Sequence, residues 1–206
     1  MLGLVGLLLG TSLLLANADE RLLAVPFRYQ LDGSPYAQSN CGPTALAMVL
    51  AYYDIDASLW DLRVKAMKAQ HSWVDDEGGY SDRYGVFVYN LASVAESFGL
   101  RADGLWVREG NRVDRLREWD ARDLRREIAA GRPVIVQAHY RLLPTSRDAR
   151  FLEDHYIVVH GTSGSDFVYS DPVTAGGLTI GEGDLLKAMA GASSPRVGFA
   201  LVKSKT

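Results

Sequence analysis

Cysteine is nearly absent from this chain: among 206 residues there is one, Cys41. A lone thiol excludes an internal disulfide and any multi-cysteine metal site, so its presence has to be explained by packing or by reactivity. Excess basic charge is absent as well. The 22 Lys and Arg stand against 25 Asp and Glu, a formal net charge of −3, which gives no field to attract nucleic acid. Internal repeats and Pro- or Gly-rich linkers are also missing, so residues 22–203 read as a single domain. Apolar residues at 48% and charged residues at 23% exclude a disordered chain and are sufficient for a buried core without disulfide staples.

One long apolar run exists, at the N-terminus. Leu2 to Ala16 is Leu, Gly, Val and Ala broken only by Thr11 and Ser12. It is short for a membrane span, which needs about 20 apolar residues, and fits the hydrophobic region of a secretory signal. Ala16-Asn17-Ala18 has the small-x-small form of a cleavage site, so residues 1–18 are expected to direct export, secreted or periplasmic. No basic residue precedes the run, and the alternative is an N-terminal anchor that keeps the protein in contact with a membrane.

The remaining pattern places helices first and strands second. Thr44 to Tyr53 is almost wholly apolar and reads as a buried helix, with Gly42 and Pro43 at its start. Further helices are expected from Ser58 to about Ala69, Val86 to Phe98, Asp120 to Ala130 and Gly183 to Ala190. The mixed signs between Arg108 and Arg132 read as the solvated, salt-bridged face of a helix. Strands are expected at Pro133–Tyr140, His155–Gly161, Asp166–Pro172 and Val197–Val202, and this order is that of an α+β domain.

Cys41 falls where a loop rich in Gly, Ser, Pro and Asn meets the apolar helix. The unpaired N–H groups and the positive dipole end of a helix N-terminus favour thiolate over thiol, and the thiolate is the nucleophile. Such a nucleophile needs an imidazole to move its proton and an acceptor to orient that imidazole. Of the four histidines, His71 precedes a loop, His139 lies inside a strand, and His160 stands beside Gly161, where it can simply bond to backbone. A hairpin closing at Thr162 to Ser165 brings the start of one strand to the end of the next, and so puts His155 and Asp171 at one rim. An oxyanion would need an amide donor besides backbone N–H, and both Gln30 and Gln38 precede Cys41.

These residues resemble a known family, the papain-like cysteine peptidases related to the bacteriocin-processing, double-glycine leader peptidases. The likeness runs through Val25-Pro26-Phe27-Arg28-Tyr29-Gln30, Asn40-Cys41-Gly42-Pro43-Thr44, Gly131-Arg132-Pro133-Val134, His155-Tyr156 and Tyr169-Ser170-Asp171-Pro172, in that order. It implies a papain-like α+β fold, with an N-terminal helical half whose central helix bears the cysteine, packed on a C-terminal antiparallel sheet. It also implies Cys41 as nucleophile, His155 as base and acid, Asp171 as the group orienting His155, and Gln30 for the oxyanion, with a peptide or protein substrate and no cofactor or metal. Two alternatives keep the fold: acyl transfer or cell-wall amide cleavage through the same thioester, and a non-catalytic binding module in which Cys41 is merely packed.

Overall fold

The computed structural model describes residues 20–34, 36–70, 85–110, 112–148 and 154–203. The expected signal segment 1–18, His71 and the loop from Ser72 to Asp82 lie outside the described residues. In chain order the elements are β1 (Glu20–Leu22), α1 (Cys41–Tyr52), α2 (Leu59–Gln70), α3 (Val88–Glu96), β2 (Leu100–Asp103), β3 (Trp106–Glu109), β4 (Arg112–Leu116), α4 (Ala121–Ala129), β5 (Val134–His139), β6 (Asp154–Ser163), β7 (Asp166–Asp171), β8 (Ala175–Gly181), α5 (Glu182–Ala190) and β9 (Gly198–Lys203). Short 3-10 turns precede α1 at Ala37–Ser39 and follow β5 at Tyr140–Leu142.

Local chemistry accounts for the helices. The side chain of Ser58 accepts the N–H of Asp61 at 3.0 Å and caps α2. Asp120 and Asp123 cap α4 reciprocally, which turns the inward stripe of Leu124 and Ile128 toward the core. From Cys41 to Leu50 every residue of α1 is buried, as an all-apolar helix must be.

Seven strands form one antiparallel sheet in the order β2-β9-β5-β6-β7-β8, with β1 added to the far end of β6. Alternation sorts its side chains onto two faces. Ile135, Tyr156, Val158, Phe199 and Leu201 join the core under α1, α2 and α3. Val134, Val136, Ile157, Val159, Phe167 and Tyr169 form the second core with Leu124 of α4 and Leu185 and Met189 of α5. The expected fold class is what the structure shows: α1 is the central helix, packed on the antiparallel sheet.

Between Trp106 and Leu116 the expectation fails. The charged stretch is not one helix there but the separate hairpin β3–β4, and helix begins only at Ala121. The alternation of signs fits a helix surface, yet turns at Gly104 and Gly110 break the segment into pieces too short for one. The strands β1, β2 and β8 also have no counterpart among the expected elements; β8 is opened by Ala175-Gly176-Gly177, a composition that reads as turn.

Gly42 permits a close approach at the start of α1. A Cβ there would come within 2.9 Å of Leu91 in α3 and 3.2 Å of Tyr156 in β6. Its missing side chain lets the first turn of α1 sit directly against the sheet.

Candidate active site

Three side chains meet where α1 begins and the sheet ends. Cys41 is the first residue of α1, His155 is the second of β6, and Asp171 is the last of β7. All three are buried. His155 Nε2 lies 2.7 Å from Asp171 Oδ1, and the other side of the imidazole bonds to the Cys41 thiol. With Nε2 taken by the carboxylate, Nδ1 is the ring nitrogen left for sulfur.

Register explains how Asp171 reaches that imidazole. The β6–β7 hairpin starts regularly at Ser163↔Asp166, which continued unbroken would set Asp171 opposite Val158, on the α1 face. His155 points to the opposite face, with Ile157, and its ring meets Tyr140 edge-on at 5.2 Å. A bulge between Val159 and Gly161 corrects the mismatch. It absorbs His160, re-pairs Val158 with Ser170, and so brings Asp171 opposite Ile157 on the face of His155. His160 locks this bulge, with Nδ1 3.1 Å from the Leu23 carbonyl and Nε2 3.0 Å from the Ser170 hydroxyl. Gly161 beside it has no room for a Cβ, which would stand 2.8 Å from the Arg21 carbonyl of β1.

The electrostatics follow from this geometry. Burial pushes the Cys41 thiol up, but the His155 hydrogen bond and charge, with the N–H groups of Tyr156 and Gly42, outweigh it and hold the thiol below its ordinary value. Burial pushes His155 down, whereas Asp171 and Cys41 together raise it to about 9. Asp171 is opposed by burial too, yet His155, the Val173 N–H at 2.8 Å and the Thr174 hydroxyl at 3.1 Å keep it below the usual carboxylate range. The arrangement therefore shifts the pair toward thiolate and imidazolium, beside a carboxylate held in its charged form.

The two glutamines separate by burial. Gln38 is exposed, and only its carbonyl faces inward. Gln30 is fully buried, its N–H donating to the Pro172 carbonyl at 2.9 Å and its Nε2 to the Ala37 carbonyl at 2.9 Å, in the turn just before Cys41. It thus bridges the loop after Asp171 and the turn before the thiol. Its second amide proton has only a long contact, 3.4 Å to the Gln38 carbonyl. His139 is not part of the triad and His160 is committed to the bulge.

Two neighbours are not among the candidate site residues read from the sequence. Arg63 of α2 is buried and donates to the Ser39 carbonyl at 3.0 Å, which fixes the same turn. Its signal is a charged residue four positions after Leu59 and one turn before Ala66 and Met67, on the inner side of α2. Tyr156 offers its N–H to Cys41 while its hydroxyl donates to the Val86 carbonyl at 2.9 Å. Its signal is only its place after His155. Among the described residues no group of three His, Cys, Asp or Glu is arranged to hold a metal ion.

A helix that presents a cysteine at its first residue to a histidine–carboxylate pair on an antiparallel sheet is the papain-like arrangement. The model of the Peptidase_C39 like family matches residues 22–180, and the chain belongs to that family. No curated protein sequence matches it. Among solved structures it is similar to a candidate C39-like peptidase from Bacillus anthracis, at 20% identity, covering 91% of this chain and 99% of that one with a TM-score of 0.61. It is similar to the peptidase domain of Streptococcus ComA, a bifunctional ABC transporter of a quorum-sensing pathway, at 14% identity, 87% and 99% coverage and a TM-score of 0.52. A double-glycine-motif protease of an AMS/PCAT transporter, solved with a leader peptide, gives 20% identity, 88% and 92% coverage and a TM-score of 0.52.

Proposed function

We propose that the protein is a cysteine peptidase acting through a thioester acyl-enzyme. The Cys41 thiolate attacks the scissile carbonyl carbon, and the oxyanion of the tetrahedral intermediate is met by first-turn N–H groups of α1 and by the Gln30 amide proton that gives up its long contact with the Gln38 carbonyl. The imidazolium of His155 passes its Nδ1 proton to the leaving amine, the C–N bond breaks and a thioester remains. His155, now neutral, takes a proton from water as that water attacks the thioester, and the acid product leaves with thiolate and imidazolium restored. Asp171 holds the ring and its charge throughout. The observation that carries this reading is one buried imidazole shared between the only thiol and a carboxylate.

Membership of a peptidase family and a structural neighbour solved with a leader peptide support a peptide substrate. Export directed by residues 1–18 belongs to the same proposal, and N-terminal sequencing of the protein from culture would show a start near Asp19. The chemical test is alkylation of Cys41 by iodoacetamide at mildly acidic pH, with mass spectrometry of enzyme mixed with a peptide pool. Rapid alkylation and a covalent acyl adduct on Cys41 are expected. A thiol inert below pH 7, with no adduct and no cleavage, would overturn the proposal in favour of the binding module.

A further inference from the structure

The α1 face of the sheet continues past the helix. On β5, Gln137 and His139 alternate with Val136 and Ala138 and so share the face of Ile135. On β6, Asp154 shares the face of Tyr156 and Val158. The register sets Gln137 opposite Tyr156 and His139 opposite Asp154. Since α1 starts with Cys41 and Gly42 against Tyr156, these three polar residues extend the face beyond its first turn. Exposure rises along them, from Tyr156 at 3% through Gln137 at 7% to an exposed Asp154.

The hydrogen bonds here leave acceptors over. Gln137 Nε2 donates to Asp154 Oδ2 at 2.9 Å, and because a carboxylate only accepts, the amide orientation is determined. Gln137 Oε1 is then a buried oxygen with no partner among the described residues, and His139 Nδ1 is in the same position. The other donors to Asp154 are neutral as well: the Ser193 N–H, 2.8 Å from Oδ1, and the Ser193 hydroxyl on Oδ2. Among the described residues no cation pairs with it. A buried acceptor left unsatisfied costs about 1–3 kcal/mol, so an oxygen of this kind beside an uncompensated carboxylate points to an occupant that brings both N–H donors and positive charge.

We propose that Gln137 Oε1 and the Asp154 carboxylate form a subsite for a cationic nitrogen of the substrate, a Lys or Arg side chain or a free α-ammonium. The subsite lies close to the bond being cut. Tyr156, one strand away from Gln137, gives its N–H to Cys41, and strands lie about 4.8 Å apart while an extended peptide advances about 3.3 Å per residue. The cation therefore belongs within about three residues of the scissile bond. His139 in its neutral form adds a third acceptor to the same face.

This subsite rests on the peptidase reading, and the experiment keeps the two apart. Fluorogenic peptides carrying Lys, Nε-acetyl-lysine or norleucine at each of the three positions on either side of the cut, plus N-acetylated and free-amine versions of a short peptide, would be compared by kcat/KM. Wild type should favour Lys over norleucine at one position, or the free amine over its acetyl form, by about tenfold to a hundredfold, the worth of one charged hydrogen bond. In Asp154→Asn and in the volume-matched Gln137→Met the ratio should fall toward one, and it should shrink at high salt only where Asp154 is intact. Thermal unfolding of each variant and the iodoacetamide rate at Cys41 report whether fold and thiol are intact. Cleavage by wild type without preference for charge, or a preference that both variants keep, sinks the subsite and leaves the peptidase standing. A chain that cuts no peptide and does not alkylate at Cys41 overturns both.

Discussion

Two regions of this molecule are rich in ionisable side chains, and they behave in opposite ways. Along β3 and β4 charges are many and wet: Arg115 and Asp114 approach to 3.6 Å with side chains 66% and 50% exposed. At the end of the sheet there are three groups, and the His155–Asp171 pair is 1% and 0% exposed. Water screens the first set and leaves each pair worth little, whereas the second set has only its own members to satisfy it. Charge density alone therefore marks no site; a few charges deprived of solvent and forced to share protons do. α4 lies between these extremes, since Asp123 and Glu127 are largely buried but face Arg117, Arg126 and Arg132, cations that leave no proton to share.

The contrast can be broken by substitution, and the largest effects belong to the sheet end. Cys41→Ala should lower peptide cleavage by more than about 10⁴-fold, because removing one member of a nucleophile–base unit costs nearly as much as removing all. The same variant should lower the ionisation of His155 from about 9, since burial opposes the imidazolium and the thiolate is one of the two charges holding it up; an NMR titration in which the ring still titrates near 9 would contradict this. Asp171→Asn should cost about 10²- to 10⁴-fold in kcat. It should also slow alkylation of Cys41 at mildly acidic pH, because the thiolate loses the support of the imidazolium.

A pH profile sharpens the same point. Cys41 lies below and His155 above its ordinary value, so kcat/KM should rise on the acid side as the thiol ionises and fall as pH passes about 9, a plateau between the two. Stability should follow a related course. His155, raised on folding, contributes stability that is complete below about 6.5 and is lost as pH climbs through about 9; Asp171, lowered on folding, contributes above its unfolded value and loses that contribution as pH falls. Thermal melts across pH would reveal both limbs.

Smaller effects separate packing from charge. Gly42→Ala should destabilise by about 1–3 kcal/mol, since its Cβ would press on Leu91 and Tyr156. Arg115→Ala at the wet end should change stability by less than about 0.5 kcal/mol in a denaturant titration, and a larger loss would mean that the hairpin carries more of the fold than its exposure indicates.

Much of the site is legible in the order of residues. Cys41 is marked by its place ahead of an all-apolar segment, and the pairing of His155 with Asp171 by two β-branched runs around a turn. The helix starts at Ser58 and Asp120 are marked by their capping side chains. Other features leave no such trace. The β3–β4 hairpin is hidden because alternating charges satisfy a wet helix and a wet strand alike. The family resemblance favours Gln30 over Gln38, but nothing in their letters shows that one is buried and the other exposed, which depends on where the loop after Asp171 passes. Plain hairpin geometry brings His155 and Asp171 to one rim but not to one face, and the bulge that completes the arrangement is a single residue with no compositional signature.

That bulge turns the site into a question of parity. His155 and Asp171 are sixteen residues apart, and across a regular hairpin with a two-residue turn positions separated by an even number fall on opposite sides of the sheet. One residue has to be counted out, and His160 is that residue. The segment between them can therefore exchange side chains at its surface positions with little consequence, yet it is intolerant of changes in length along its strands. An extra residue inserted between Tyr169 and Ser170 would reverse the count and turn Asp171 toward α1, while Phe167 and Tyr169 keep their places in the second core. An insertion at Gly164 or Ser165 would merely lengthen the turn and leave the count unchanged.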